Sequence, residues 1–201
     1  MKRLLSSLTI ILLTCSLSVQ AETSNKQKVS GWYVGGGIGN PSGELSDESN
    51  SSTIDLKDKS YHVVAGYQDG RIFAWEMQYV KYGKDTVEFF DPSSFSASAN
   101  VGYTFSNGVR PFALLGLGVT DVNIPSPPFG MIVVDSDLSY HYGIGIEFSP
   151  RQLNGMTFRL AHEADFVNIE ERVYSGFFKS WKETIYDVDL KSTYAAVMYK
   201  F

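Results

Sequence analysis

The 201-residue chain carries 17 Lys and Arg against 22 Asp and Glu, a net charge of −5, and 14% of its residues are aromatic. An acidic chain with no basic cluster is not built to neutralise nucleic-acid phosphates, and one cysteine cannot make a disulfide-stapled scaffold. After the first 21 residues no stretch is apolar for 18 positions, which excludes a membrane-spanning helix but not strands that cross a bilayer.

The amino terminus reads as a secretory signal. Lys2 and Arg3 precede an apolar run from Leu4 to Thr14, and Val19-Gln20-Ala21 is a small-residue cleavage pattern. The run is too short for a spanning helix. A lipoprotein signal around Cys15 is the alternative, and Thr14 fits that motif poorly. Cleavage after Ala21 is expected to leave residues 22–201 as one domain of 180 residues with no thiol. Loss of Lys2 and Arg3 leaves 15 basic groups against 22 acidic ones, a net charge of −7.

From Gly31 on, apolar residues recur with a period of two, the signature of strands with two unlike faces. Eight strands are predicted: 31–39, 61–68, 72–82, 95–105, 109–120, 138–148, 156–166, and a last one running from Asp187 to Phe201. In the third, Phe73, Trp75, Met77 and Tyr79 oppose Ala74, Glu76 and Gln78. In the fourth, Phe95, Ala97, Ala99, Val101, Tyr103 and Phe105 oppose Ser96, Ser98, Asn100, Gly102 and Thr104. Pro111 falls early in the fifth, where a missing ladder bond costs least. The sixth opposes Leu138, Tyr140, Tyr142, Ile144, Ile146 and Phe148 to Ser139, His141, Gly143, Gly145 and Glu147. In the seventh, His162 is a misfit on the apolar face of Phe158, Leu160, Ala164 and Phe166. In the last, Thr193, Ala195, Val197, Tyr199 and Phe201 share one face.

The connections alternate. Asp69-Gly70, Ser106–Gly108 and Ser149–Gly155 are short; Asn40–Ser60, Gly83–Ser94, Asp121–Asp137 and Val167–Ile185 are long and polar. Short turns on one side, long loops on the other and strands of about 9–11 residues describe a transmembrane barrel. The interior of eight strands is too narrow for over a dozen aromatic side chains. The small-residue face, with Gly35, Gly37, Gly66, Gly102, Gly116, Gly118, Gly143 and Gly145, is therefore expected inside, and the aromatic face in lipid. Tyr67, Phe73, Tyr103, Phe105, Phe148, Tyr199 and Phe201 are expected to form the periplasmic girdle, and Tyr79, Tyr82, Phe95 and Tyr140 the outer one.

Together with this topology, four stretches carry a family resemblance: GWYVGGGIG at 31–39, VRPFALLGLGV at 109–119, YGIGIEF at 142–148 and the closing YKF. Over essentially all of residues 22–201 the chain resembles the small eight-stranded outer-membrane barrels of Gram-negative bacteria, the group of the OmpA barrel domain, OmpX and Ail. The resemblance implies an all-β, up-and-down antiparallel barrel in the Gram-negative outer membrane, a monomer facing outer-membrane lipid and lipopolysaccharide. Tyr199 and Phe201 look like the carboxy-terminal signal read by the barrel-assembly machinery. A peptidoglycan-binding domain after the barrel is not expected.

Inward positions include Glu76, Arg110, Glu147, Arg159, Glu163 and Lys200. Lipid would oppose each charge by a few kcal/mol, so a paired lumen network is expected, either as a plug or as a gate over a narrow pore. Apolar side chains in the loops, Phe129, Met131, Ile132, Phe177, Phe178 and Trp181, either pack loop on loop above the barrel or are the candidate contacts of a loop-mediated adhesin with a host or phage surface. No cofactor and no metal site is expected, because no ligand spacing recurs. Some barrels of this size are lipid A deacylases using Ser, His and an acid. The histidines here are His62, His141 and His162. Ser139 shares the inward face of His141, and no hydroxyl is evident beside His162 on the lipid face, so a catalytic role is not expected.

Overall fold

The computed structural model describes residues 28–46, 51–54, 56–84, 91–121, 131–133, 136–175 and 180–201. The expected signal segment, with Cys15, and the loop residues Phe129, Phe177 and Phe178 lie outside this set. The backbone at Met131, Ile132 and Trp181 is in strands, and their side chains lie outside the description.

Among the described residues ten strands form in chain order: β1 (Gly31–Ser46), β2 (Ser51–Ile54), β3 (Ser60–Asp69), β4 (Phe73–Lys81), β5 (Ser93–Gly102), β6 (Val109–Asp121), β7 (Met131–Val133), β8 (Ser136–Phe148), β9 (Met156–Ser175) and β10 (Ser180–Lys200). Eight of them close an antiparallel up-and-down barrel, β1-β3-β4-β5-β6-β8-β9-β10, sealed where β10 pairs with β1. The short β2 and β7 pair with the projecting ends of β1 and β9.

The period-two pattern fixes which face is which. Trp32, Trp75, Met77, Leu115, Leu117, Ile144 and Leu160 are among the large apolar side chains left exposed, all on the outer wall. Glu76, Gln78, Asn100, Arg159, Glu163 and Asp165 are buried within. That is the reverse of a soluble barrel and the arrangement lipid demands. Pro111 in β6 lies opposite Tyr103, just past the last β5 pair at Gly102; the Tyr103 amide donates to the Pro111 carbonyl at 3.2 Å, and the missing proline N–H removes only the reciprocal bond, at the end of the ladder.

The seam is tight. The Phe201 amide donates to the Trp32 carbonyl at 2.8 Å, and Tyr199 and Phe201 pack edge to face at 5.3 Å on the outer wall. Gly31 sits at φ +143°, where a Cβ would strike the Phe201 carbonyl. At Gly66 a Cβ would meet the Tyr33 ring at 2.6 Å, so the Tyr33 side chain occupies the space a larger residue would need.

Three expectations need correction. Tyr82 is not in the outer girdle. It points inward, 1% exposed, with its hydroxyl on Asp165. Asn40–Ser60 is not a solvated loop throughout, because β1 continues to Ser46 and β2 folds back on it. Val167–Ile185 is largely strand as well: β9 and β10 run 20 and 21 residues, paired continuously from Tyr199–Met156 to Ser180–Ser175. Above the membrane both faces of a hairpin meet water, so polar residues replace the apolar face and the period-two signal fades while the ladder continues.

Candidate functional site

The lumen is filled in layers. At the periplasmic mouth Lys200 bonds to Gln68, which donates to the Thr104 hydroxyl at 3.1 Å. Above it lies a charge cluster centred on Arg159, whose side chain is fully buried. Its Nη2 reaches Glu76 Oε1 and Glu147 Oε1, both at 2.6 Å, and its Nη1 donates to Glu76 Oε2 at 2.8 Å. Glu76 Oε1 also accepts from Tyr33 at 2.7 Å and from Asn100 at 2.6 Å. Arg110 reaches Glu147 Oε2 at 3.4 Å. The Phe112 ring lies under Arg159, 4.7 Å from its Cζ. Two guanidinium groups therefore face two carboxylates, and the cluster is neutral. Pairing and hydrogen bonding offset the cost of taking these charges out of water.

A second polar layer follows. Tyr194 donates to Glu163 Oε1 at 2.7 Å and lies 3.5 Å from Arg159 Nη1, joining the layers. Gln78 donates to Glu163 Oε2 at 2.7 Å and contacts His62 Nδ1 at 3.0 Å. His62 stacks on Tyr194 at 3.8 Å and meets the Ser60 and Ser192 hydroxyls through Nε2. His141 Nδ1 is 2.8 Å from Asp165 Oδ1, and Tyr82 donates to Asp165 Oδ2 at 2.6 Å. Val80, Tyr82, Val167, Val188 and Leu190, with Leu56 against them, then cap the lumen with apolar side chains. Between Tyr33, Arg110, Glu147 and Lys200 lies a cavity of about 10 Å³, no more than the space one water needs.

Of the charges singled out in the sequence, Glu76, Arg110, Glu147 and Arg159 meet in one cluster. Glu163 belongs to the layer above. Lys200 stands apart, on Gln68. The tyrosines Tyr33, Tyr82 and Tyr194, with Asp165 and His62, are lumen residues that the face count alone did not mark as partners. Ser139 and His141 share the lumen, but the Ser139 hydroxyl is buried with no hydrogen-bond partner among the described residues. On the outer wall His162 is exposed, and it does have a hydroxyl neighbour: Thr193 Oγ1 lies 2.8 Å from His162 Nδ1. The sequence concealed this pair because inter-strand register is not written in either strand alone. No carboxylate bonds to His162 among the described residues, so the base-orienting third group of a hydrolase is missing there.

A closed antiparallel barrel, apolar outside and charged inside, defines a transmembrane β-barrel protein. A family model described as the outer membrane protein beta-barrel domain matches residues 9–201, and the chain belongs to that family. Among solved structures it is similar to Neisserial surface protein A, at 17% identity and a TM-score of 0.50, over 86% of this chain and 98% of that one. It is also similar to OprG of Pseudomonas aeruginosa, at 12% identity and a TM-score of 0.52, over 88% and 99%. The outer membrane protein AlkL matches at 11% identity and a TM-score of 0.50, over 89% and 94%. These likenesses are likenesses of fold. No curated protein matches the chain.

Proposed function

We propose that this chain is a closed-lumen barrel of the Gram-negative outer membrane that holds extracellular segments at the cell surface, and is neither an open porin nor an enzyme. The carrying observation is the lumen: Arg159 bound to both Glu76 and Glu147, with an apolar layer from Val80 to Leu190 above it. A solute would have to separate buried ion pairs and then wet an apolar constriction. The long β9–β10 hairpin supports the surface role, since it carries the chain well beyond the length a bilayer crossing needs. Export through the signal ending at Ala21, a monomeric state, insertion by the barrel-assembly machinery and a surface ligand for Phe129, Met131, Phe177, Phe178 or Trp181 belong to the same reading.

Solute efflux tests it. Purified protein reconstituted in liposomes is expected to leave small sugars trapped inside, at the rate of protein-free liposomes. Rapid, protein-dependent sugar release would overturn the closed-lumen reading.

A further inference from the structure

One buried charge at the periplasmic end of the lumen has no counter-charge among the described residues. The buried cations of this half are Arg110, Arg159 and Lys200, and its buried carboxylates are Glu76 and Glu147. Arg159 and Arg110 take both carboxylates. Lys200, 6% exposed, is left with the Gln68 carbonyl oxygen and, 6.0 Å from its Nζ, the centre of the Tyr33 ring. A neutral amide and a ring face solvate an ammonium without neutralising it, and one oxygen occupies only one of its N–H donors. A buried charge without a partner is costly.

Lys200 borders a recess of about 20 Å³ at the periplasmic mouth, room for roughly one or two water-sized atoms of a group entering from outside. Lys28 and Arg151 line the same recess, with the Ser149 and Thr157 hydroxyls and the Asn154 amide, and no acidic residue does. None of the three cations is paired with a carboxylate among the described residues; Arg151 donates once, to the Ser106 carbonyl at 2.6 Å. Asp69 and the Phe201 carboxylate, the other acidic groups described at this end, do not line the recess. Its wall is pinned without a ligand. The Lys200 amide donates to the Gly155 carbonyl at 2.8 Å, the Ser149 amide donates to the Gly108 carbonyl at 2.9 Å, and the Ser149 and Thr157 hydroxyls lie 2.8 Å apart. Such preorganisation lowers the cost of binding. The free N–H donors of Lys28, Arg151 and Lys200 outnumber what a carboxylate can accept. A phosphoryl group, with three or four oxygens and up to about two negative charges, matches both the donors and the charge. Thr157 and Lys200 are buried inside the ring of strands, so the ligand arrives from periplasmic water and not from the leaflet.

We propose that the periplasmic mouth is a binding site for a soluble phosphate-type oxyanion, with Lys200 meeting it from within and Lys28 and Arg151 at the rim. The site goes beyond the surface role, uses the opposite end of the barrel, and is independent of whether the lumen conducts.

The test is phosphorus NMR of inorganic phosphate added to the intact protein folded in maltoside micelles, which contain no phosphorus. Wild type is expected to broaden the phosphate signal saturably. Lys200→Met removes an unpaired buried charge, so it is expected to keep the heat-dependent gel shift of a folded barrel. It is expected to weaken phosphate binding about tenfold, the loss of one charge-assisted hydrogen bond. K28A/R151A changes two exposed positions, so it is expected to fold as wild type and carries the test should Lys200→Met not fold; its binding is expected to weaken by about tenfold or more. Lys57→Ala, exposed at the extracellular end, is expected to leave binding unchanged. Dihexanoylphosphatidylglycerol, a phosphodiester on short chains, is expected to compete about tenfold less well than phosphate, because it brings one negative charge and two free oxygens. No saturable broadening by wild type, or undiminished binding in K28A/R151A, would overturn the proposal. Competition by the short-chain lipid equal to that of phosphate would overturn it in favour of a lipid headgroup. Sugar efflux does not depend on any of these results, so the two readings fail separately.

Discussion

Arg159 concentrates the energetics of the lumen in one side chain. It satisfies Glu76 and Glu147 together, so removing it strands two buried carboxylates. Arg159→Ala is expected to destabilise the barrel by about 3–5 kcal/mol, read as a lower urea midpoint for the gel-shifted band. R159M/E76Q leaves Glu147 to Arg110 and one neutral amide in place of Glu76. It is expected to recover most of that loss, which a purely steric role for Arg159 would not allow. Gly66→Val is a contrasting case, because its cost is shape rather than charge. The added side chain must displace Tyr33, whose hydroxyl holds Glu76, and about 1–3 kcal/mol of destabilisation is expected in the same assay. The sequence made the inward address of Glu76 and Arg159 legible, because parity along a strand fixes the face. It did not disclose that they meet, because they lie on β4 and β9, on different sides of the lumen. Only closure of the barrel brings those strands within reach. Lys200 shows the converse: its face was legible, yet its height at the periplasmic mouth put it on Gln68 instead of a carboxylate.

At the scale of the element, legibility followed the solvent. β3 to β6 and β8 lie where one face meets lipid and the other the lumen, and their alternation located them to within a few residues. β1, β9 and β10 continue past the membrane, where that contrast vanishes and only the backbone ladder carries them on. Their projecting parts are therefore separable from the barrel. Replacing residues 170–185 with a two-residue Asn-Gly turn is expected to leave folding in lipid and the gel shift intact, because the turn rejoins strands already in register. A loss of folding would show that the projecting hairpin nucleates the barrel. Within the membrane, position decides the outcome. Leu115, 67% exposed on the outer wall, lies near mid-depth. Leu115→Arg is expected to cost about 2–4 kcal/mol in bilayers, whereas the same charge type at Arg159, facing the lumen, is native.

For the whole molecule, the aromatic and glycine content that composition alone leaves ambiguous acquires a single meaning once the barrel closes. Large side chains fit outside, where lipid places no limit on their volume. The lumen accepts Phe112, Tyr33 and Tyr194 only because glycines such as Gly145 and Gly66 yield room beside them. The central claim is that inversion of inside and outside, and Trp32 and Trp75 report on it directly, since both stand on the outer wall at 66% and 60% exposure. The decisive measurement is tryptophan fluorescence of a W181F protein reconstituted in bilayers of phospholipid brominated along the acyl chain, with aqueous iodide as the control quencher. Strong quenching by the bromolipid and little by iodide are expected. Fluorescence indifferent to bromine and unchanged on transfer from buffer to lipid would place the aromatics in a protein core and contradict that claim.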